Sequence, residues 1–117
     1  MIDSYLIKDV KMVLPHDVLV GDILISNGQI SAIGPSLSQS AEVVIQESGL
    51  TLMPGVIDTH VHFREPGATH KETIESGSKA AVTGGMTTFF DMPNNSPATI
   101  TVDELNWKKQ RASESSY

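Results

Sequence analysis

The sequence contains no cysteine, which excludes disulfide bonds, thiolate metal sites and cysteine nucleophiles together. Aromatic residues make up only 5%, and the 8 basic residues are outnumbered by 14 acidic ones. The net charge of −6 and the lack of a basic cluster argue against a nucleic-acid partner. No apolar run approaches the roughly 20 residues of a membrane span, and no secretory signal is recognisable. These absences predict a cytoplasmic protein that binds neither nucleic acid nor a membrane.

The first half of the chain has the pattern of short β-strands. Asn27-Gly28 separates two apolar runs, and this dipeptide favours a type I′ hairpin turn, which needs positive φ at both central residues. Residues 5–14 predict one or two further strands that end at Pro15, and residues 43–45 predict another. We therefore expect a small β unit over residues 1–53.

The second half alternates between strand and helix patterns. Residues 56–63 and 86–92 are apolar strands, and each is followed by a Thr-x-x-Glu capping box, at Thr69 and at Thr101. The first helix presents a face of small and apolar residues, and the second runs to about Ala112, before a tail expected to fray. The members of that face are Ile74, Gly77, Ser78, Ala81 and Val82. Such alternation predicts an α/β fold with parallel strands.

Two of the 4 histidines stand in the first of these strands, where residues 56–67 read VIDTHVHFREPG. Because side chains alternate along a strand, Asp58, His60 and His62 share one face, at the end where parallel α/β folds form their sites. Two imidazoles two residues apart can converge on one zinc ion, and Asp58 could orient a ring from behind. The alternative is a pair of hydrogen-bonded core histidines.

The run PGVIDTHVHFREPG resembles the signature of the amidohydrolase superfamily, and HFREPG with DMPNNSPAT resembles that of dihydroorotase. This resemblance covers the whole chain. It implies a TIM barrel flanked by a small β-sandwich. Residues 1–53 would then form the N-terminal part of the sandwich, and residues 54–117 the first two β/α units of the barrel.

The resemblance also implies the roles of several residues. His60 and His62 match metal ligands of one or two zinc ions, while His62, Arg64 and Asn94 match residues that hold a substrate carboxylate. The implied reaction is the reversible, metal-dependent hydrolysis of dihydroorotate to carbamoyl-aspartate in pyrimidine biosynthesis. A guanidinium suits a planar carboxylate, and an amide can donate to it. The alternatives are an Arg64–Glu65 surface ion pair and a turn-forming role for Asn94.

The chain is short for this fold, since a TIM barrel takes about 250 residues. The remaining metal ligands and the general acid/base would come from later strands, so the catalytic residue is unknown and the chain alone should be nearly inactive. We expect it to act as the N-terminal part of an enzyme, within a homo-oligomer or with the remainder of its parent chain. The alternatives are another cyclic amidohydrolase (an allantoinase or hydantoinase), a non-catalytic subunit, or a self-sufficient small binding module.

Overall fold

A computed structural model describes residues 2–46 and 48–117. The chain divides into two compact units, residues 1–54 and residues 55–117. The first contains only strands among its described residues, and the second alternates strands and helices. The mixed α/β class that the pattern predicts is therefore confirmed.

The first unit is a five-stranded sheet. Its strands are β1 (Ser4–Val13), β2 (Val18–Ser26), β3 (Gln29–Gly34), β4 (Val43–Gln46) and β5 (Thr51–Leu52). The order is β3-β2-β1-β4, and the short β5 also pairs with β1. The β1–β2 and β2–β3 pairs are antiparallel, whereas β4 and β5 run parallel to β1. The segment predicted to hold one or two strands is thus one long strand that ends at Val13, and β5 is an element that the sequence pattern did not reveal.

A bulge in β1 is stabilised by a buried carboxylate. Asp9 has a φ of 55°, and the register with β2 shifts there, between Ile7 and Val10. Asp22 is buried and accepts hydrogen bonds from the N–H groups of Leu37, at 2.9 Å, and Asp9, at 3.0 Å. These two backbone donors hold the pKa of Asp22 below its ordinary value. Next to the bulge, Val10, Met12 and Ile23 form the core.

The turn between β2 and β3 has the predicted hairpin geometry. Asn27 and Gly28 have φ values of 52° and 72°, so both central residues are left-handed, as a type I′ turn requires. Glycine tolerates this conformation because it lacks a Cβ, and asparagine is one of the few other residues that adopt it readily. The Asn27-Gly28 prediction is confirmed.

The second unit is built from β6 (Val56–Val61), α1 (Ile74–Thr83), β7 (Met86–Asp91) and α2 (Val102–Ser115). The strands β6 and β7 pair in parallel, with Val56 opposite Met86 and Val61 opposite Asp91. The predicted strand–helix–strand–helix order and the parallel pairing are both confirmed. Because the strands are parallel, the loops that follow β6 and β7 leave the sheet at the same edge.

The two helices begin with capping boxes, one of them at an unexpected residue. The box at Thr101, with Glu104 as its partner, is confirmed. The box predicted at Thr69 is wrong: the N-cap is Thr73, whose partner is Ser76. Serine can replace the usual Glu because its hydroxyl also reaches the N-cap N–H, at 3.0 Å.

The end of the chain is ordered further than its composition suggests. Helix α2 continues to Ser115 instead of ending near Ala112, and the N–H of Tyr117 donates to Ser78 Oγ at 3.0 Å. The Tyr117 ring also lies 5.1 Å from the ammonium of Lys79, within cation–π range. The expectation of a frayed tail is therefore wrong, because contacts distant in sequence hold it.

Phe63 packs the loop after β6 against α1 and β7. Its ring makes an edge-to-face contact with Phe89, at 4.6 Å between centroids, and a Cβ on Gly77 would overlap it. The glycine therefore permits the close approach expected of the small residues on α1. By contrast, Ile57 on β6 is 58% exposed in this chain. With two strands in this unit, nothing among its described residues covers Ile57.

Among the described residues, no helix has both the length and the apolar character needed to cross a membrane.

Candidate functional site

The rings of His60 and His62 lie side by side on β6 and the residue after it. Their Nε2 atoms are 3.1 Å apart, and their centroids are separated by 5.0 Å. Alternation along the strand places both rings on one face, as predicted. Both side chains are exposed among the described residues.

The spacing of the two nitrogens suits a shared metal ion. Two nitrogens that each bind a tetrahedral zinc ion at about 2.0–2.1 Å lie roughly 3.3 Å apart. The observed 3.1 Å is close to this separation. Within the described part of the chain, however, no group of three or more His, Cys, Asp or Glu side chains is arranged to hold a metal. The pair therefore fits half of a zinc coordination sphere.

Asn94 fixes the orientation of the His62 ring. Its Oδ1 lies 2.8 Å from His62 Nδ1, and an amide oxygen can only accept, so the ring carries its proton on Nδ1. The lone pair of Nε2 is then directed towards His60. Metal-binding histidines commonly donate their second ring N–H in this way. The Nδ2 group of Asn94 remains available to donate to a ligand.

Asp58 contacts the backbone and not a ring. Its Oδ1 accepts from the N–H of His60 at 3.0 Å, which steadies the strand where the first histidine projects. An orienting role towards an imidazole stays a prediction.

Arg64 and Glu65 are adjacent in sequence but have different environments. Arg64 is exposed, and within residues 2–46 and 48–117 its guanidinium makes neither an ion pair nor a hydrogen bond. Glu65 is buried and binds Arg111 Nε at 2.6 Å through Oε1 and the Ile74 N–H at 2.8 Å through Oε2. The alternative of an Arg64–Glu65 ion pair is therefore wrong, and the guanidinium of Arg64 can bind a ligand.

The environment of Glu65 favours its charged form. Burial raises the pKa of this carboxyl, but the hydrogen bonds from Arg111 and from the Ile74 N–H, with the Arg111 charge, outweigh burial and lower it. The same contact raises the pKa of Arg111. Glu65 is a residue for which the sequence suggested no role, and it joins the loop after β6 to the start of α1 and to α2.

Three further polar residues form a cluster near the loop after β6: Asp91 at the end of β7, Asn95 in the loop after it, and Lys108 on α2. Lys108 of α2 is 2.5 Å from Asp91 Oδ2 and 2.7 Å from Asn95 Oδ1. The Asp91 contact is outside hydrogen-bonding geometry, so we regard it as an ion pair. Asp91 Oδ1 accepts from the Phe63 N–H at 2.9 Å, which joins the end of β7 to the loop after β6.

Comparison with known proteins identifies the chain. Residues 49–117, more than half of it, match the model of the family described as dihydro-orotase-like. The chain belongs to the dihydro-orotase-like family. It is 46% identical over 112 residues to a dihydroorotase from Bacillus licheniformis, with 95% of this chain and 26% of that protein covered. An allantoinase from Bacillus velezensis is 41% identical over 108 residues, covering 92% of this chain and 24% of the allantoinase.

A solved structure extends the likeness of this dihydro-orotase-like chain to its fold. The L-hydantoinase from Arthrobacter aurescens superposes with a TM-score of 0.87 at 33% identity, over 96% of this chain and 25% of the hydantoinase. The chain thus spans about a quarter of the length of the curated relatives it matches. Metal dependence is a general property of this family of cyclic amidohydrolases.

Proposed function

We propose that this chain supplies the first two metal ligands and the carboxylate-binding residues of a zinc-dependent dihydroorotase. In this proposal, residues 1–53 belong to a β-sandwich and residues 54–117 form the first two β/α units of a TIM barrel. The remaining ligands and the general acid/base come from the part of the relatives' length that the chain does not span. A cytoplasmic location and assembly into a homo-oligomer remain predictions.

One observation carries the proposal: the 3.1 Å separation of the His60 and His62 Nε2 atoms, beside an arginine without a partner in the described residues. The nitrogens would hold the ion. Arg64 and the free Nδ2 of Asn94 are the donors that a substrate carboxylate needs.

The residues of the chain divide the work between binding and orientation. His60 and His62 would hold zinc, which supplies the Lewis acidity that activates water and polarises the scissile amide. Asn94 would keep the His62 lone pair directed at the ion by accepting a hydrogen bond from its Nδ1–H, with 2.8 Å between Nδ1 and Oδ1. Arg64 binds the carboxylate beside the ring. The carboxylate is thereby anchored, so the cyclic amide is presented to water in a single orientation.

The proposal can be tested with a chimeric enzyme in which this chain replaces the matching first quarter of the Bacillus licheniformis dihydroorotase. We expect the chimera to bind zinc and to interconvert dihydroorotate and carbamoyl-aspartate. His60→Ala should lower zinc content and activity together, by more than about a hundredfold in activity, since even orienting partners of ligands are worth 10–100-fold. His70→Ala is the matched control, because His70 is exposed and lies outside the site.

Two results would count against the proposal. Normal zinc content in His60→Ala would remove the ligand role of the histidine pair. A zinc-loaded chimera that acts on hydantoin or allantoin but not on dihydroorotate would assign the chain to the alternative cyclic amidohydrolases. The similarity to an allantoinase and an L-hydantoinase makes these substrates the necessary comparison.

A further inference from the structure

The backbone on both sides of Arg64 is held by one side chain. Asn95 Nδ2 donates to the carbonyl oxygen of Phe63 at 2.8 Å and to that of Glu65 at 3.1 Å. These carbonyls belong to the residues immediately before and after Arg64. Both protons of a single amide group are thus used to fix the loop from which the guanidinium projects.

The Asn95 amide is itself oriented by a charge. Lys108 Nζ donates to Asn95 Oδ1 at 2.7 Å, which turns the NH₂ group towards the two carbonyls. Lys108 and Asp91 are each only 12% exposed in their side chains, so their ion pair lies in a partly desolvated environment. Asp91 then binds the Phe63 N–H, and the cluster therefore reaches the Arg64 segment by a second route.

Among residues 2–46 and 48–117, no hydrogen bond or ion pair places the Arg64 side chain. Its side chain is exposed and without a hydrogen-bond partner in the described residues, so only its backbone determines where the guanidinium can reach. A long side chain gains directional precision when its Cα is rigid, because fewer rotamers must be frozen on binding. The hydrogen bonds from Asp91 and Asn95 go to Phe63 and Glu65, the two residues that flank Arg64. General packing would not require these contacts to be concentrated there.

From these contacts we infer that Asn95, oriented by Lys108, is the positioning residue for Arg64. Asn95 does not touch the ligand. It acts by keeping Arg64 where a planar substrate carboxylate can be bound in a bidentate manner. This inference rests on the proposed function, in which Arg64 binds that carboxylate.

The test uses the chimeric enzyme and two variants of Asn95. Asn95→Ala removes the amide. Asn95→Asp keeps the shape and the contact to Lys108 but replaces the two donors with an oxygen that repels both carbonyls. We expect each variant to raise KM for dihydroorotate by about tenfold or more, the cost of leaving buried groups unpaired, while kcat changes less than about threefold. Zinc content should be unchanged, and Asn106→Ala, on an exposed position of α2, should leave KM unaltered.

A double-variant cycle separates positioning from a general structural effect. If Asn95 acts through Arg64, then Asn95→Ala should raise KM less than about twofold in an Arg64→Met background. KM increases that multiply, or a loss of zinc together with kcat, would overturn the inference. If the unaltered chimera binds zinc but does not act on dihydroorotate, the proposed function fails instead.

Backbone dynamics of the chimeric enzyme provide a test that does not depend on activity. We expect the ¹⁵N order parameters of Phe63, Arg64 and Glu65 to fall from about 0.85 towards 0.6 in Asn95→Ala and in Lys108→Met. Lys109→Met is the matched control, since Lys109 is exposed and makes no hydrogen bond in the described residues. Unchanged order parameters in both cluster variants would overturn the positioning role.

Discussion

At the scale of single residues, the chemistry of the site depends on which atoms are left without partners. The N–H at His62 Nδ1 donates a hydrogen bond to Asn94 Oδ1, so the Nε2 lone pair faces the Nε2 of His60. Glu65 forms its ion pair with Arg111 and not with the neighbouring Arg64. Of these two adjacent residues, Glu65 thus forms a structural ion pair, while the Arg64 guanidinium has no ion-pair partner in the part of the chain that the structure describes.

A residue-scale prediction concerns Arg64. Arg64→Lys in the chimeric enzyme should raise KM for dihydroorotate by about tenfold, because an ammonium cannot bind a carboxylate with a planar fork. Zinc content, measured by elemental analysis, should stay the same. A parallel loss of zinc would contradict the carboxylate role, and Lys109→Arg serves as a surface control.

At the scale of elements, the loop after β6 is organised by its contacts with both helices. Helix α1 begins at Ile74 because Thr73 caps it and because Glu65 accepts the Ile74 N–H. A carboxylate at a helix N-terminus is also favoured by the helix dipole. Helix α2 contributes Lys108 and Arg111 to this edge of the sheet, so a polar helix with no buried residue still determines the shape of the site.

An element-scale prediction follows from the lowered pKa of Glu65. A carboxyl whose pKa is lower when folded stabilises the fold above its ordinary value of 4.5 and loses this contribution as the pH falls through the folded value. Glu65→Gln should therefore reduce the free energy of unfolding at pH 7 by about 1–2 kcal/mol, the range for a partly screened charged hydrogen bond.

The measurement is urea unfolding followed by the helix signal in circular dichroism, at several pH values between 7 and 3. The difference between the unaltered chain and the variant should shrink below about pH 4.5. A difference that is independent of pH would contradict the ion-pair account. Asp103→Asn, which alters an exposed carboxylate on α2 that does not act on Arg111, is the control.

At the scale of the whole molecule, each unit leaves apolar side chains uncovered. Ile57 and Phe90 of the second unit are 58% and 54% exposed, and Val20 and Ile30 of the first are 61% and 63% exposed. Strands with open edges and apolar faces promote association. About three quarters of the length of the relatives is not matched by this chain.

We therefore expect the isolated 117-residue chain to self-associate at micromolar concentration in sedimentation velocity. The double variant Ile57→Thr/Phe90→Thr should shift it towards monomer, because it removes apolar area from the two paired strands. Ile100→Thr/Val102→Thr, at even more exposed positions outside the strands, should not. A monomer with one cooperative unfolding transition would instead support the self-sufficient module.

Local signals made much of this fold predictable. Three features depend on neighbours a few residues apart: the turn at Asn27-Gly28, the capping box at Thr101 and the strand–helix alternation. The amino-acid sequence alone is therefore enough to predict them. The same holds for the histidine pair, since alternation along a strand alone puts His60 and His62 on one face.

Contacts between distant residues decided the rest. The partner of Glu65 is 46 residues away, and Asn95 reaches the carbonyls flanking Arg64 from 30 to 32 residues along the chain. No local pattern distinguishes Thr73 from Thr69 as the helix cap, or Lys108 from Lys109 as the buried cation. Those choices follow from how two strands and two helices pack, because only packing determines which polar groups leave water and must find partners.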